Sequence, residues 1–97
     1  MIERRGEIEF DWDHANIRHL ARHRVRPEEA EQALRNHPFD VEYQVIGGEQ
    51  RWTSLGHTDG LRILLLVWTL RGDVVRVVTA RSAGKQLRQA YLRHQGA

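Results

Sequence analysis

Between residues 41 and 80 the chain divides into four segments of strand-like periodicity, 41–46, 49–58, 61–70 and 73–80, separated only by Gly47-Gly48, Asp59-Gly60 and Arg71-Gly72. A parallel pair needs a crossover of a dozen residues or more, whereas two turn residues join only antiparallel neighbours. The spacing therefore dictates an antiparallel meander of about four strands. Ahead of it, residues 7–11 (EIEFD) alternate with period two and predict a short first strand. Asp13 can cap a helix whose apolar stripe is Ile17, Leu20 and Ala21. Pro27 suits the first turn of a second helix, Glu28 and Glu29 suit the positive end of its dipole, and Pro38 stops it after about Asn36. Ser82 is expected to cap a last helix with Leu87, Ala90 and Tyr91 facing inward. Strand, two helices, a run of strands and a helix belong to the α+β class.

A chain of 97 residues is expected to form one domain over residues 1–97, with a core small enough to favour help from a partner. Hydrophobic residues at 40% and charged residues at 29% place it among folded globular chains. Net charge is only +2, yet Lys85 is the single lysine among 15 cationic residues. Arginine forks onto phosphate, whereas lysine is a hydrated point charge. A GC-rich genome produces the same bias, so the positions of the arginines carry the argument. The absence of cysteine excludes a disulfide framework, a thiolate nucleophile and a Cys-ligated zinc. The start of the chain lacks a signal-peptide stretch, and the longest apolar run, residues 63–68, is too short to span a bilayer. The expectation is a cytoplasmic protein with no membrane contact.

Taken literally, the turns fix the register. With Asp59-Gly60 and Arg71-Gly72 as two-residue turns, His57 faces Arg62, Arg62 faces Arg81, and Arg51 lies on the same face opposite Trp68. Like charges opposed across strands cost up to about 1 kcal/mol a pair, which a bound phosphate would offset. A shift of one residue would split the row between two faces. In this register Trp52, Ile63, Leu65, Val67, Val74 and Val78 form the helix-covered core. The basic face also carries Leu55, Leu64, Leu66, Trp68, Val75 and Val77, requiring cover by the last helix or by a partner chain.

On the first helix Asn16, His19 and His23 share a side away from the apolar stripe. Three readings stand: a pair of metal ligands, a solvated surface, and catalysis or RNA contact. The first lacks an HExxH pattern or an acidic residue between the histidines. The last is suited by a side chain that ordinarily titrates near neutrality.

Phe10-Asp11-Trp12-Asp13, Asn16 and His19 followed by His23-Arg24-Val25, Glu28-Glu29-Ala30, Arg51 leading into Gly56, then Val77-Val78-Thr79-Ala80-Arg81-Ser82-Ala83 and Tyr91 together resemble the BrnT-type toxins of type II toxin–antitoxin systems. The resemblance spans about residues 8–92 and implies a RelE-like fold, RNA cleavage without a metal or other cofactor, and inhibition of translation. It implies a BrnA-like ribbon-helix-helix antitoxin as partner, with DNA reached only indirectly through that complex. The chain departs from the commoner pattern in having Arg22-His23-Arg24 for Lys-His-Gly and Leu87 for a glutamate.

The chemistry so implied needs a base for the ribose 2′-hydroxyl, an acid for the leaving 5′-oxygen and cations for the phosphate. His23 or His57 is expected to move protons, Arg51, Arg62 and Arg81 to hold the phosphate, and Tyr91 to orient or donate. His19 and Asn16 are expected to contact RNA. The rival is an inactive relative that only binds a partner protein, favoured by Arg24 and the missing glutamate. A sequence-specific DNA binder is disfavoured because no helix-turn-helix or ribbon-helix-helix pattern stands out.

Overall fold

A computed structural model describes residues 8–96. The elements are α1 (His14–Ala21), α2 (Pro27–Arg35), β1 (Phe39–Ile46), β2 (Glu49–His57), β3 (Ile63–Arg71), β4 (Val74–Ser82) and α3 (Lys85–Gly96), and the antiparallel sheet runs in the order β1-β2-β3-β4. The α+β meander is as expected. Glu7 of the expected first strand lies outside the described residues. The rest of that segment forms a parallel bridge, Phe10 to Val75, with the Val75 N–H bonded to the Glu9 carbonyl and the Asp11 N–H to the Val75 carbonyl.

The turns set a different register from the literal reading. Gly47-Gly48 does make a two-residue turn between Ile46 and Glu49, with both glycines at positive φ. At Asp59-Gly60 the loop takes three residues. The Thr58 N–H bonds to the Arg62 carbonyl, and Leu61 occupies the left-handed region at φ 67°. His57 is therefore paired with Ile63 instead of Arg62. The last turn is Gly72-Asp73, with Arg71 facing Val74. A bulge then leaves Val78 without a partner, because Val67 pairs with Thr79 but Trp68 with Val77. Arg81 consequently faces Leu65 and not Arg62.

Opposed residues share a face, so the expected core is reversed on β3 and the first half of β4, while Trp52 of β2 keeps the helix-covered side expected for it. Leu64, Leu66, Val75, Val77 and Ala80 meet Leu20 and Val25 and the α2 residues Ala30, Ala33 and Leu34. On the other, open face, Leu55 and Ile63 with Ala83 form a smaller cluster around Tyr91. Thus α3 covers one end of that face, as the sequence allowed. Of its expected inward stripe only Tyr91 is buried; Ala90 is half-buried and Leu87 exposed. Ser82 does not cap α3. It remains in β4, accepting a hydrogen bond from the Arg62 Nε, while the Gly84 carbonyl starts the helix by accepting from the Arg88 N–H.

Two local features hold α1 and α2 in place. The Val25 N–H reaches the Leu20 carbonyl and the Arg24 N–H reaches that of Ala21, a Schellman ending that brings Leu20 and Val25 together in the core. Its left-handed position, which favours glycine, is held by Arg24 at φ 59°. Where α2 crosses β2, Gly56 lies so close to the Ala33 carbonyl that an added Cβ would collide with it.

Two substitutions check this packing in urea unfolding. Arg24→Gly relieves the left-handed strain and should raise stability by about 0.5 to 1 kcal/mol. Gly56→Ala must push α2 off the sheet and should lower it by about 2 kcal/mol or more.

Candidate RNA-backbone site

The Val78 bulge builds the site. Along an unbroken strand Arg76 would share a face with Ala80; the extra residue exchanges the faces and places Arg76 with Thr79 and Arg81. Arg76 then faces Thr69, and continuing the β2–β3 register one step beyond Trp52 and Trp68 puts Arg51 on the other side of that threonine. Two guanidinium-bearing side chains thus flank a buried threonine, whose hydroxyl is committed to the Gln50 carbonyl at 2.6 Å.

At the outer edge of β4 stands α1. The Asp13 side chain caps it by accepting from the Asn16 backbone N–H at 2.7 Å, while its other oxygen accepts from the Arg76 Nη2 at 2.8 Å. These contacts, the backbone bond first, hold the Asp13 carboxyl below its ordinary 3.8. Asn16 is buried and donates to the Val77 carbonyl at 2.6 Å, fastening α1 to the strand beside the bulge. One turn on, the His19 Nε2 lies 3.3 Å from the Thr79 Oγ1. The result is a concavity of about 290 Å³, walled by Asn16 and His19 on one side and by Arg51, Arg71 and Arg76 on the other.

The charges are balanced internally. The Arg51 Nε is 2.8 Å from Glu49, Arg76 bridges Asp13 and Asp11, and the Arg71 Nη1 lies 3.5 Å from Asp11. Among the described residues the Asn16 Oδ1 is buried without a hydrogen-bond partner, and the Arg76 Nη1 has none beyond its 3.5 Å ion pair with Asp11. A buried acceptor without a partner beside a concavity is unusual in a folded protein.

Of the residues singled out in the sequence, Asn16, His19 and Arg51 come together here. His23 is exposed outside the concavity, its ring edge-on to His19 at 5.7 Å. Arg81 is exposed on the same face, about 15 Å along β4 from Arg76 at roughly 3.3 Å per residue. His57, six residues from Arg51 along β2, is about 20 Å away on the same arithmetic. It shares a 2.7 Å hydrogen bond with the buried hydroxyl of Tyr91, which also lies 3.3 Å from the Asn36 and His37 carbonyls. Burial pushes that phenol up, and the contact with His57 only partly opposes it.

The expected row of His57, Arg62 and Arg81 does not form, because both hairpins have another register. Arg62 points to the helix-covered side. It donates to Ser82, to the Arg24 and His23 carbonyls at 2.7 and 3.3 Å, and to Glu29. It thus satisfies the carbonyls where α1 ends. Arg71 and Arg76 were missed, since strict alternation puts Arg76 in the core; the signal was a lone charge inside the run Val74 to Val78.

The Arg62 latch has a measurable cost and pH signature. Arg62→Met should lower unfolding free energy by about 2 kcal/mol, since it leaves carbonyls and Glu29 unpaired. Burial acts to raise the Glu29 carboxyl, but the Arg26 N–H and the Arg62 charge outweigh it and leave it below its ordinary 4.5. A carboxylate so depressed stabilises the fold above that value, and the contribution is lost as pH falls through the folded-state value. Acid titrations of stability should lose this component in Glu29→Gln.

No curated protein matches this chain significantly. The family model for the ribonuclease toxin BrnT of type II toxin–antitoxin systems matches residues 12–86, which contain α1, α2, all four strands and every residue lining the concavity. That span is most of the chain, and the chain therefore belongs to the BrnT family of type II toxin–antitoxin ribonuclease toxins.

Proposed function

We propose that this chain cleaves RNA without a metal ion and thereby inhibits translation in the cytoplasm, and that a BrnA-like ribbon-helix-helix antitoxin restrains it. The observation that carries the reading is the row Arg51–Thr69–Arg76 with His19 beside it, the one histidine lining the arginine concavity. Guanidinium groups from β2 and β4 grip the phosphate and the charge that develops on it. His19 takes the proton of the 2′-hydroxyl, that oxygen attacks phosphorus, and His23, next to His19 and outside the concavity, supplies the proton to the leaving 5′-oxygen. The products are a 2′,3′-cyclic phosphate and a 5′-hydroxyl. Asn16 holds α1 and His19 in position, and Arg81 takes a neighbouring phosphate along the open face. His57 and Tyr91 act in this proposal as the anchor of α3. The carboxylates at the concavity are each held by an arginine, which favours catalysis by side chains alone.

Those same carboxylates favour a second reading, a binding module whose arginines are permanently satisfied. Substrate must displace Glu49 from Arg51 and the aspartates from Arg76, and an inactive relative never does so. Expression alone separates the two: growth arrest with cut RNA supports the ribonuclease, and intact RNA with normal growth supports the module.

With purified protein, His19→Ala and Arg51→Ala should each lower the cleavage rate by about 100-fold or more. His57→Phe should leave it within about twofold, and EDTA should have no effect. Full activity of His19→Ala would remove this mechanism.

A further inference from the structure

The opposite face of the sheet carries an apolar surface that α1 and α2 leave uncovered. Tyr43, Trp52 and Trp68 form one rung across β1, β2 and β3. Beside it lie Val45, 59% exposed, and Leu70, 42% exposed, while Tyr43 itself is 49% exposed. Next to the rung is a cavity of about 240 Å³ lined by Ile8, Leu34, Pro38, Trp68 and Val75, with Asp40 as its only charged wall among the described residues. A relay aims that carboxylate: the Trp68 Nε1 donates to the Ser54 Oγ at 2.9 Å, and Ser54 donates to the Asp40 Oδ1 at 2.6 Å. The Asp40 Oδ2 takes no hydrogen bond or ion pair among the described residues.

The chemistry selects the occupant. Trp52 and Trp68 stack on each other at 4.7 Å and 18°, and Tyr43 leans on Trp52 at 5.4 Å, so the indole faces that nucleobases would use are partly occupied by one another. The carboxylate also repels a phosphate. An apolar cavity with one acid at its wall suits a long aliphatic stem ending in a cation, the geometry by which lysine and arginine cover apolar surface. Half-exposed Tyr and Trp beside such a pocket are the residue types that dominate protein interfaces.

We propose that this face docks a partner protein, which seats a lysine or arginine on Asp40 and lays flanking apolar side chains over Tyr43, Trp52 and Val45. This contact lies on the side of the sheet opposite Arg51 and Arg76, so it holds the partner without using the arginine concavity. The inference is independent of the assignment of His19, since it uses no residue of that site.

The test uses the full chain and its antitoxin as the partner, with affinity measured by calorimetry. Val45→Lys, on an exposed edge-strand position, should weaken binding at least 30-fold, and Asp40→Asn, which keeps the hydrogen bond from Ser54, about tenfold. Both should melt as the parent does and cleave RNA at the parent rate, and Arg51→Ala should bind the antitoxin unchanged. Parent affinity in Val45→Lys and Asp40→Asn would overturn the proposal, as would lost affinity in Arg51→Ala or no binding by the parent chain. Sedimentation of the chain alone as a dimer that Val45→Lys makes monomeric would overturn it in favour of a second copy. Weakened RNA binding by Tyr43→Ala would overturn it in favour of nucleic acid.

Discussion

Val78 has no partner in β3, and because side chains alternate along a strand, this one extra residue exchanges the faces of everything on one side of it. Val75 and Val77 go to the core beneath α1 while Arg76 goes to the open face beside Thr79. The bulge also leaves the Val77 carbonyl free at the strand edge, where the Asn16 amide takes it. Core, helix attachment and arginine row therefore share one structural cause, and losing the bulge would cost all three.

The sheet consequently has two unlike faces. One is apolar, closed at one end by α1 and α2 and left open at the Tyr43, Trp52 and Trp68 rung. The other carries the arginines and is closed at its far end by α3 through Tyr91. Charge follows the same division. On the open face each cation at the concavity has a carboxylate within reach, an arrangement that holds guanidinium groups together without a bound phosphate. The pairs on that face are partly solvated, so exchanging a carboxylate for a phosphate costs far less than it would in a dry core.

Helix α1 joins the two faces. Its N-terminal cap, Asp13, fixes Arg76; its middle, Asn16, fixes the bulge; its end, Leu20 to Val25, closes the core. The departure from the family's glycine at Arg24 belongs to this last function. It strains the backbone of a helix ending whose carbonyls Arg62 then holds, and it does not touch the concavity. The same contact removes Arg62 from any phosphate site.

The sequence by itself determined the antiparallel meander, the three helices, the family, and the grouping of Asn16 and His19 on one side of α1, because tight turns, proline stops and helical spacing act over a few residues. It could not determine which residues oppose one another. Whether Asp59-Gly60 makes a loop of two or three residues, and whether β4 carries an extra residue, differ little in local energy, yet each odd shift turns a whole strand over. That choice was made by the core: Leu64, Leu66 and Val77 had to lie under Leu20 and Ala33, and burial of that apolar area outweighs the preference of any one turn. Only the folded chain could then place Arg51, Arg71 and Arg76 together and set Arg62 apart.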